Sequence, residues 1–102
     1  MLIILSKSPT VCDYDDIIDI AKKAVENGEK VAVLHVQDAC IATTTDDYCE
    51  GLAENGIDAY VLRADCEARG LLDKVGREVK IIDYREWVKL VMKTHRTIVS
   101  WT

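Results

Sequence analysis

Apolar positions along this chain follow two alternating rhythms. Leu2-Ile3-Ile4-Leu5, Lys30 to Val36, Ile57 to Leu62, Val79-Lys80-Ile81-Ile82 and Thr97 to Trp101 are short, apolar and rich in β-branched residues. Each predicts a strand, and the continuous runs predict burial on both faces. Between the first two runs, Tyr14, Ile17, Ile18, Ala21 and Val25 recur at helical spacing, with Asp15, Asp16, Asp19, Lys22, Lys23 and Glu26 opposite them. That segment predicts an amphipathic helix, capped by Asp13 and stopped at Gly28.

The later segments carry their own punctuation. A second helix is expected to begin within Thr43-Thr44-Thr45-Asp46-Asp47, to turn Tyr48, Leu52 and Ala53 inward and to end at Asn55-Gly56. After the third strand, Asp65 is placed as a helix cap and Gly70 as a left-handed stop. After the fourth, Asp83-Tyr84-Arg85-Glu86 fits a capping box, and Trp87, Val88, Val91 and His95 share one helical face. Strands alternating with helices predict a small layered α/β domain spanning 1–102, with a mostly parallel five-stranded sheet flanked by helices.

Composition narrows the function classes. A net charge of −5 works against broad contact with a phosphate backbone, so direct nucleic-acid binding is not expected. The apolar runs are far too short to cross a bilayer, and the first residues show no signal peptide. Neither G-x-G-x-x-G nor a Walker A loop occurs, and no bound cofactor is expected. The four cysteines, Cys12, Cys40, Cys49 and Cys66, form no C-x-x-C pair or close Cys/His cluster. They read as reduced thiols of a cytoplasmic protein, with neither a zinc site nor a thioredoxin-type pair.

Chemistry concentrates in Ala64-Asp65-Cys66-Glu67-Ala68-Arg69-Gly70-Leu71, a turn at the carboxyl end of a strand, where ligands of parallel sheets gather. Cys66 stands near a helix start with Arg63 and Arg69 close in sequence to favour its thiolate, while Asp65 and Glu67 oppose them. Cys12 and Cys40 each follow a strand and precede a helix, as either reactive thiols or small apolar turn residues. Cys49, near the apolar face of its helix, reads as a buried thiol. Asp38 is a cap or a hydrogen-bonded turn residue, and Arg69 is a surface ion-pair partner or an anion contact. His35 reads as a packed strand histidine and His95 as a terminal-turn residue. Trp101, beside the last residue, fits an interface anchor.

Five stretches occur together in order: Leu5-Ser6-Lys7-Ser8-Pro9, Val36-Gln37-Asp38, Asp65-Cys66-Glu67-Ala68-Arg69-Gly70, Ile82-Asp83-Tyr84 with Trp87-Val88, and Val99-Ser100-Trp101. As an ordered set spanning the chain, they resemble the DsrH/TusB family of sulfur-relay proteins. That resemblance implies a fold of the DsrE/DsrF/DsrH type and a place in a hetero-oligomer with DsrE/TusD-like and DsrF/TusC-like subunits. It also implies delivery of persulfide sulfur to a TusE/DsrC-like carrier. The sulfur would serve 2-thiouridine at the tRNA wobble position or dissimilatory sulfur metabolism. In the related DsrE/TusD subunits the carrier cysteine stands about where this chain has Leu62. Some DsrH members place a cysteine on the first helix, near Ile17 and Ile18 of this sequence.

Three functional expectations follow. In the first, a thiolate of this chain, Cys66 before Cys12, attacks the outer sulfur of a donor persulfide and passes it on. In the second, the chain is a structural subunit that shapes a partner's site through Arg69, Asp38 and Trp101. In the third, it is a homo-oligomer that binds a small anion at the strand-end turns.

Overall fold

All five expected strands form: β1 (Leu2–Leu5), β2 (Ala32–His35), β3 (Asp58–Leu62), β4 (Val79–Ile82) and β5 (Ile98–Trp101). They join in one sheet in the order β4-β3-β2-β1-β5, and every pairing is parallel. This computed structural model describes residues 1–11, 13–94 and 97–101, without the side chains of Lys93, Thr94 and Trp101. Cys12 and His95, both singled out from the sequence, lie outside the described residues.

The two faces of the sheet bury different residues because side chains alternate along a strand. Ile3, Leu5, Val33, Ala59 and Val61 face one way and pack with Ile17, Ala21 and Ala24 of α1 (Asp15–Glu26) and with Cys49 and Leu52 of α2 (Asp46–Glu54). Leu2, Ala32, Leu34, Leu62 and Ile82 face the other way. There they meet Trp87 of α4 (Tyr84–Lys89) and Leu90 and Val91 of the π-helical turn Leu90–Thr94 that continues it. The fold is therefore a three-layer α/β sandwich. The 3₁₀ helix Gln37–Thr44 and α3 (Arg63–Ala68) lie at the carboxyl edge of the sheet, following β2 and β3.

At Ala53 and Asp65 the structure departs from expectation. The second helix begins within the expected stretch, α2 starting at Asp46, and the segment before it from Gln37 to Thr44 is a 3₁₀ helix because Thr43 and Thr44 turn their hydroxyls back onto the Cys40 and Ile41 carbonyls at 2.6 and 2.7 Å. Such local bonds compete with regular helix. Ala53 faces solvent, and Cys49 shares the buried stripe of α2 with Leu52. The helix after β3 starts at Arg63, before Asp65, whose carboxylate serves a neighbouring loop. Trp87, Val88 and Val91 line one side of α4 as expected, with Val88 at its outer edge, 55% exposed, and Leu90 of the π turn packing against the sheet beside Trp87 and Val91.

The expected terminators behave as their chemistry dictates. Gly70 closes α3 at φ +67°, a conformation glycine adopts at low cost. Asp83 caps α4 by accepting from the Glu86 N–H at 2.9 Å. The Glu86 carboxylate points to the Lys80 ammonium, 3.8 Å away. Asp13 is the exception: Tyr14, not Asp13, holds the cap position of α1, and Asp13 accepts from the Asp15 N–H at 2.9 Å from one residue further out.

Candidate functional site

Parallel pairing brings the carboxyl ends of all five strands to one edge, so residues far apart in sequence converge there. The Ser6–Thr10 turn follows β1, the Gln37–Thr44 helix follows β2, and α3 follows β3. Gln37 leaves β2 with φ +50°, an uncommon conformation for a residue with a side chain. Its N–H donates to Asp65 Oδ2 at 2.7 Å, which ties the two loops together.

Arg69 completes that tie. Its Nε and Nη2 donate to Asp38 Oδ1 at 3.3 and 3.1 Å, and its Nη1 donates to the Asp65 carbonyl oxygen at 3.2 Å. Of the two sequence readings for Arg69 the structure displays the ion pair, with Asp38 as its partner. A hollow of about 300 Å³ lies over the pair, lined by Ser8, Asp38, Ile41, Arg69 and Leu71. With the guanidinium already facing Asp38 and a backbone carbonyl, the hollow offers an incoming anion no uncompensated cation. Ile41, about half exposed, gives it an apolar rim.

Beneath this surface lie the thiols. Cys40, in the 3₁₀ helix, and Cys66, in the middle of α3, are both fully buried and belong to one core cluster. Cys40 Sγ donates to the His35 carbonyl oxygen at 3.7 Å. Burial is the main influence on both, pushing Cys66 up from its ordinary range and Cys40 further up. The negative charge of Asp65 adds to the rise and Arg69 opposes it at each. Arg63, which the sequence placed near Cys66, reaches out to Glu67 at 4.0 Å on the surface. Cys49 is also fully buried, its thiol donating to the Thr43 carbonyl oxygen at 3.3 Å, and burial pushes it up to about 11. Such thiols are protonated at neutral pH and poor nucleophiles.

His35 occupies the end of β2 on the face covered by α1 and α2. One ring nitrogen meets the Tyr60 carbonyl oxygen and the other the Tyr48 hydroxyl, so its packed reading from sequence matches its surroundings. Trp101 ends β5, its backbone in register with Leu5, next to the turn that carries Ser6 and Ser8. The edge thus holds Asp38, Cys66, Arg69 and the Trp101 backbone. Among the described residues, no three His, Cys, Asp or Glu side chains are grouped to hold a metal ion. No helix among them is long and apolar enough to cross a membrane.

One participant and one juxtaposition escaped the sequence reading. Gln37 gave no signal because a positive φ at glutamine has no sequence mark. The link from Asp65 to its N–H spans 28 positions and exists only through β2–β3 pairing. Cys40 and Cys66 were each weighed alone, yet they sit in one cluster for the same reason.

Comparison with known proteins agrees with this architecture. The family model of DsrH-like proteins matches residues 7–97. A TusB protein of Photorhabdus laumondii is 34% identical over 97 residues, covering 94% of this chain and 96% of its own. One from Pectobacterium parmentieri is 34% identical over 102 residues, covering 99% and 100%. In fold, the chain is similar to the YchN protein of Escherichia coli, with a TM-score of 0.73 at 12% identity over 98% of this chain and 97% of that one. On the match over nearly its whole length and on the TusB relatives, the chain belongs to the DsrH/TusB family.

Proposed function

We propose that this chain is a subunit of a sulfur-relay complex and that it shapes the complex without carrying sulfur on Cys40, Cys49 or Cys66. Membership of the DsrH/TusB family supports the relay. The TusB relatives favour the branch that supplies 2-thiouridine at the tRNA wobble position over dissimilatory sulfur metabolism. The observation that carries the structural role is the burial of the three described thiols, each with its pKa raised mainly by that burial.

The chemistry explains why burial matters. In each transfer a thiolate attacks the outer sulfur of a donor persulfide; a new S–S bond forms, the old one breaks, and the donor leaves as a thiolate. The acceptor must be deprotonated and within reach of a second protein. A thiol in the core of α3 meets neither condition, whereas the Asp38–Arg69 pair and the rim at Ile41 are accessible at the same edge. We assign them to contact with DsrE/TusD-like and DsrF/TusC-like subunits or with a TusE/DsrC-like carrier.

The test incubates the purified chain with a small-molecule persulfide donor and maps added sulfur by mass spectrometry. Cys40, Cys49 and Cys66 are expected to stay unmodified while the chain is folded. Sulfur on Cys66 in the native chain overturns the structural role in favour of a carrier. Sulfur on Cys12 alone would make that residue the carrier and leave the reading of the other three intact. Replacing all four cysteines by alanine in the reconstituted complex gives a second readout, with relay activity expected to persist.

A further inference from the structure

Both asparagines of the chain precede a glycine, in Glu26-Asn27-Gly28 and in Glu54-Asn55-Gly56. Each stands just past a helix, α1 or α2, and ends it with the same geometry. Asn27 has φ −82° and ψ 7°, Asn55 has φ −89° and ψ 7°, and the glycines that follow take φ +85° and +72°. The Gly28 N–H donates to the Val25 carbonyl at 3.0 Å and the Gly56 N–H to the Ala53 carbonyl at 3.1 Å, while the Glu29 and Ile57 N–H groups reach back to the Ala24 and Leu52 carbonyls. These bonds close each helix at its carboxyl end.

An asparagine before a glycine carries a latent reaction, because the glycine nitrogen, with no side chain beside it, can attack the carboxamide carbon. The closed turns restrain it. Ring closure requires that nitrogen to let go of its carbonyl partner and swing round toward the asparagine side chain. The reaction therefore runs through fraying of the last helical turn, at a rate set by how often the turn opens.

The two turns differ in what holds them shut. Asn55 Nδ2 donates to the Gly51 carbonyl at 2.7 Å, whereas the Asn27 amide has no side-chain hydrogen bond among the described residues. Ile57, directly after Gly56, is buried, and the next N–H, of Asp58, already donates to the Val31 carbonyl. Gly28 is followed by the exposed Glu29 and Lys30, and the chain is buried again only at Val31. The end of α1 is the looser of two turns that are otherwise alike.

We infer that Asn27 is a site of spontaneous deamidation, passing through a cyclic imide with Gly28 to aspartate and isoaspartate, and that the fold protects Asn55. The Gly28 nitrogen gives up its proton and bonds to Asn27 Cγ, the Cγ–Nδ2 bond breaks, and the nitrogen leaves as ammonia. Water then opens the imide at one carbonyl or the other, and nothing is oxidised or reduced. Either product sets a carboxylate at the carboxyl end of α1, where the helix dipole disfavours it, and takes the net charge from −5 to −6. Isoaspartate also lengthens the backbone by one methylene inside the closed turn. The site lies at the amino end of β2, away from Asp38 and Arg69, and the inference is independent of sulfur chemistry.

The test incubates the folded chain at 37 °C at pH 7.5 and pH 9 and follows the one-dalton gain of deamidation in tryptic peptides 24–30 and 31–63, which separate the two asparagines. Asn27 is expected to convert about threefold or more faster than Asn55, the ratio that one hydrogen bond supplies. Both rates should rise with pH, and in concentrated urea they should converge. The aged folded chain should accept a methyl group at residue 27 from S-adenosylmethionine and an isoaspartyl carboxyl methyltransferase, and Asn27→Gln should abolish that signal. Equal rates in the folded chain, faster conversion of Asn55, or no conversion of Asn27 while the chain in urea converts both overturns the inference. A mass gain at Asn27 without a methyl-accepting product overturns the imide route.

Discussion

The Nε2 of His35 lies 2.7 Å from the Tyr48 hydroxyl, and its Nδ1 lies 2.8 Å from the Tyr60 carbonyl oxygen. A carbonyl can only accept, so Nδ1 carries the proton and Nε2 accepts from Tyr48. Tyr48 in turn packs against Tyr14, ring centroids 5.8 Å apart, and the Tyr14 hydroxyl donates to the Lys7 carbonyl. One neutral imidazole thus joins β2, β3 and α2 and, through the two tyrosines, the start of α1. Burial holds its pKa down at about 4, against 6.5 for a free histidine.

That depression makes stability pH-dependent. Below pH 6.5 the unfolded chain takes up a proton at His35 that the folded chain refuses until about pH 4. Stability from this group is therefore complete above 6.5 and falls as pH drops toward 4, by up to about 3 kcal/mol. Urea unfolding at pH 7.5 and pH 5 should show a drop for the parent chain that is smaller in His35→Gln. Equal drops in both would refute the assignment.

Tyr48→Phe removes the donor and leaves Nε2 buried without its partner. The expected loss at pH 7.5 is about 1–3 kcal/mol, read by the same unfolding curves. In the double variant with His35→Gln the two losses should not add, because both sever one hydrogen bond.

Gly76 stands where a side chain has no room. A Cβ there would lie 3.0 Å from Cys49 Sγ and 3.2 Å from Cys49 Cβ, while the Gly76 N–H donates to the Thr43 carbonyl at 2.8 Å. Gly76→Ala is expected to destabilise by about 1–3 kcal/mol. Adding Cys49→Ala removes the nearer contact, so a double-mutant cycle by thermal unfolding should show a favourable coupling. Simple additivity would mean that the clash relaxes elsewhere.

Asp65 and Arg69 separate stability from contact. Asp65→Ala deprives the Gln37 N–H of its acceptor and should cost about 1–2 kcal/mol. Arg69→Ala breaks a pair whose Asp38 side chain is 73% exposed, so its cost should stay within about 1 kcal/mol. If Arg69→Ala lowers relay activity of a reconstituted complex without lowering its melting temperature, the residue acts in partner contact. A large drop in melting temperature would instead make it structural.

The buried thiols predict their own kinetics. Alkylation of Cys40, Cys49 and Cys66 should require opening of the fold, so labelling rates followed by mass spectrometry should rise steeply with added urea. Rapid labelling of Cys66 in the absence of urea would show that α3 opens on its own.

Much of the fold was legible in the one-dimensional pattern. Five apolar runs too short to be helices, the amphipathic spacing from Tyr14 to Val25 and the stops at Gly28 and Gly70 were sufficient for an α/β sheet, because side-chain period and backbone freedom are local properties. The ordered stretches from Leu5 to Trp101 pointed to the family. Local rules failed where two segments share a group. Asp65 looked like the cap of its own helix, but it accepts from Gln37 and the helix begins earlier.

By itself, then, the sequence determined the elements, their alternation and the residue types gathered near strand ends. Only the tertiary structure decided what those residues can do. Parallel pairing brought Asp38 to Arg69, chose the ion pair over the anion contact for Arg69, and buried Cys66 in the core. A thiol's reactivity depends on water and charge around it, and those are set by segments distant in the chain, which no local pattern records.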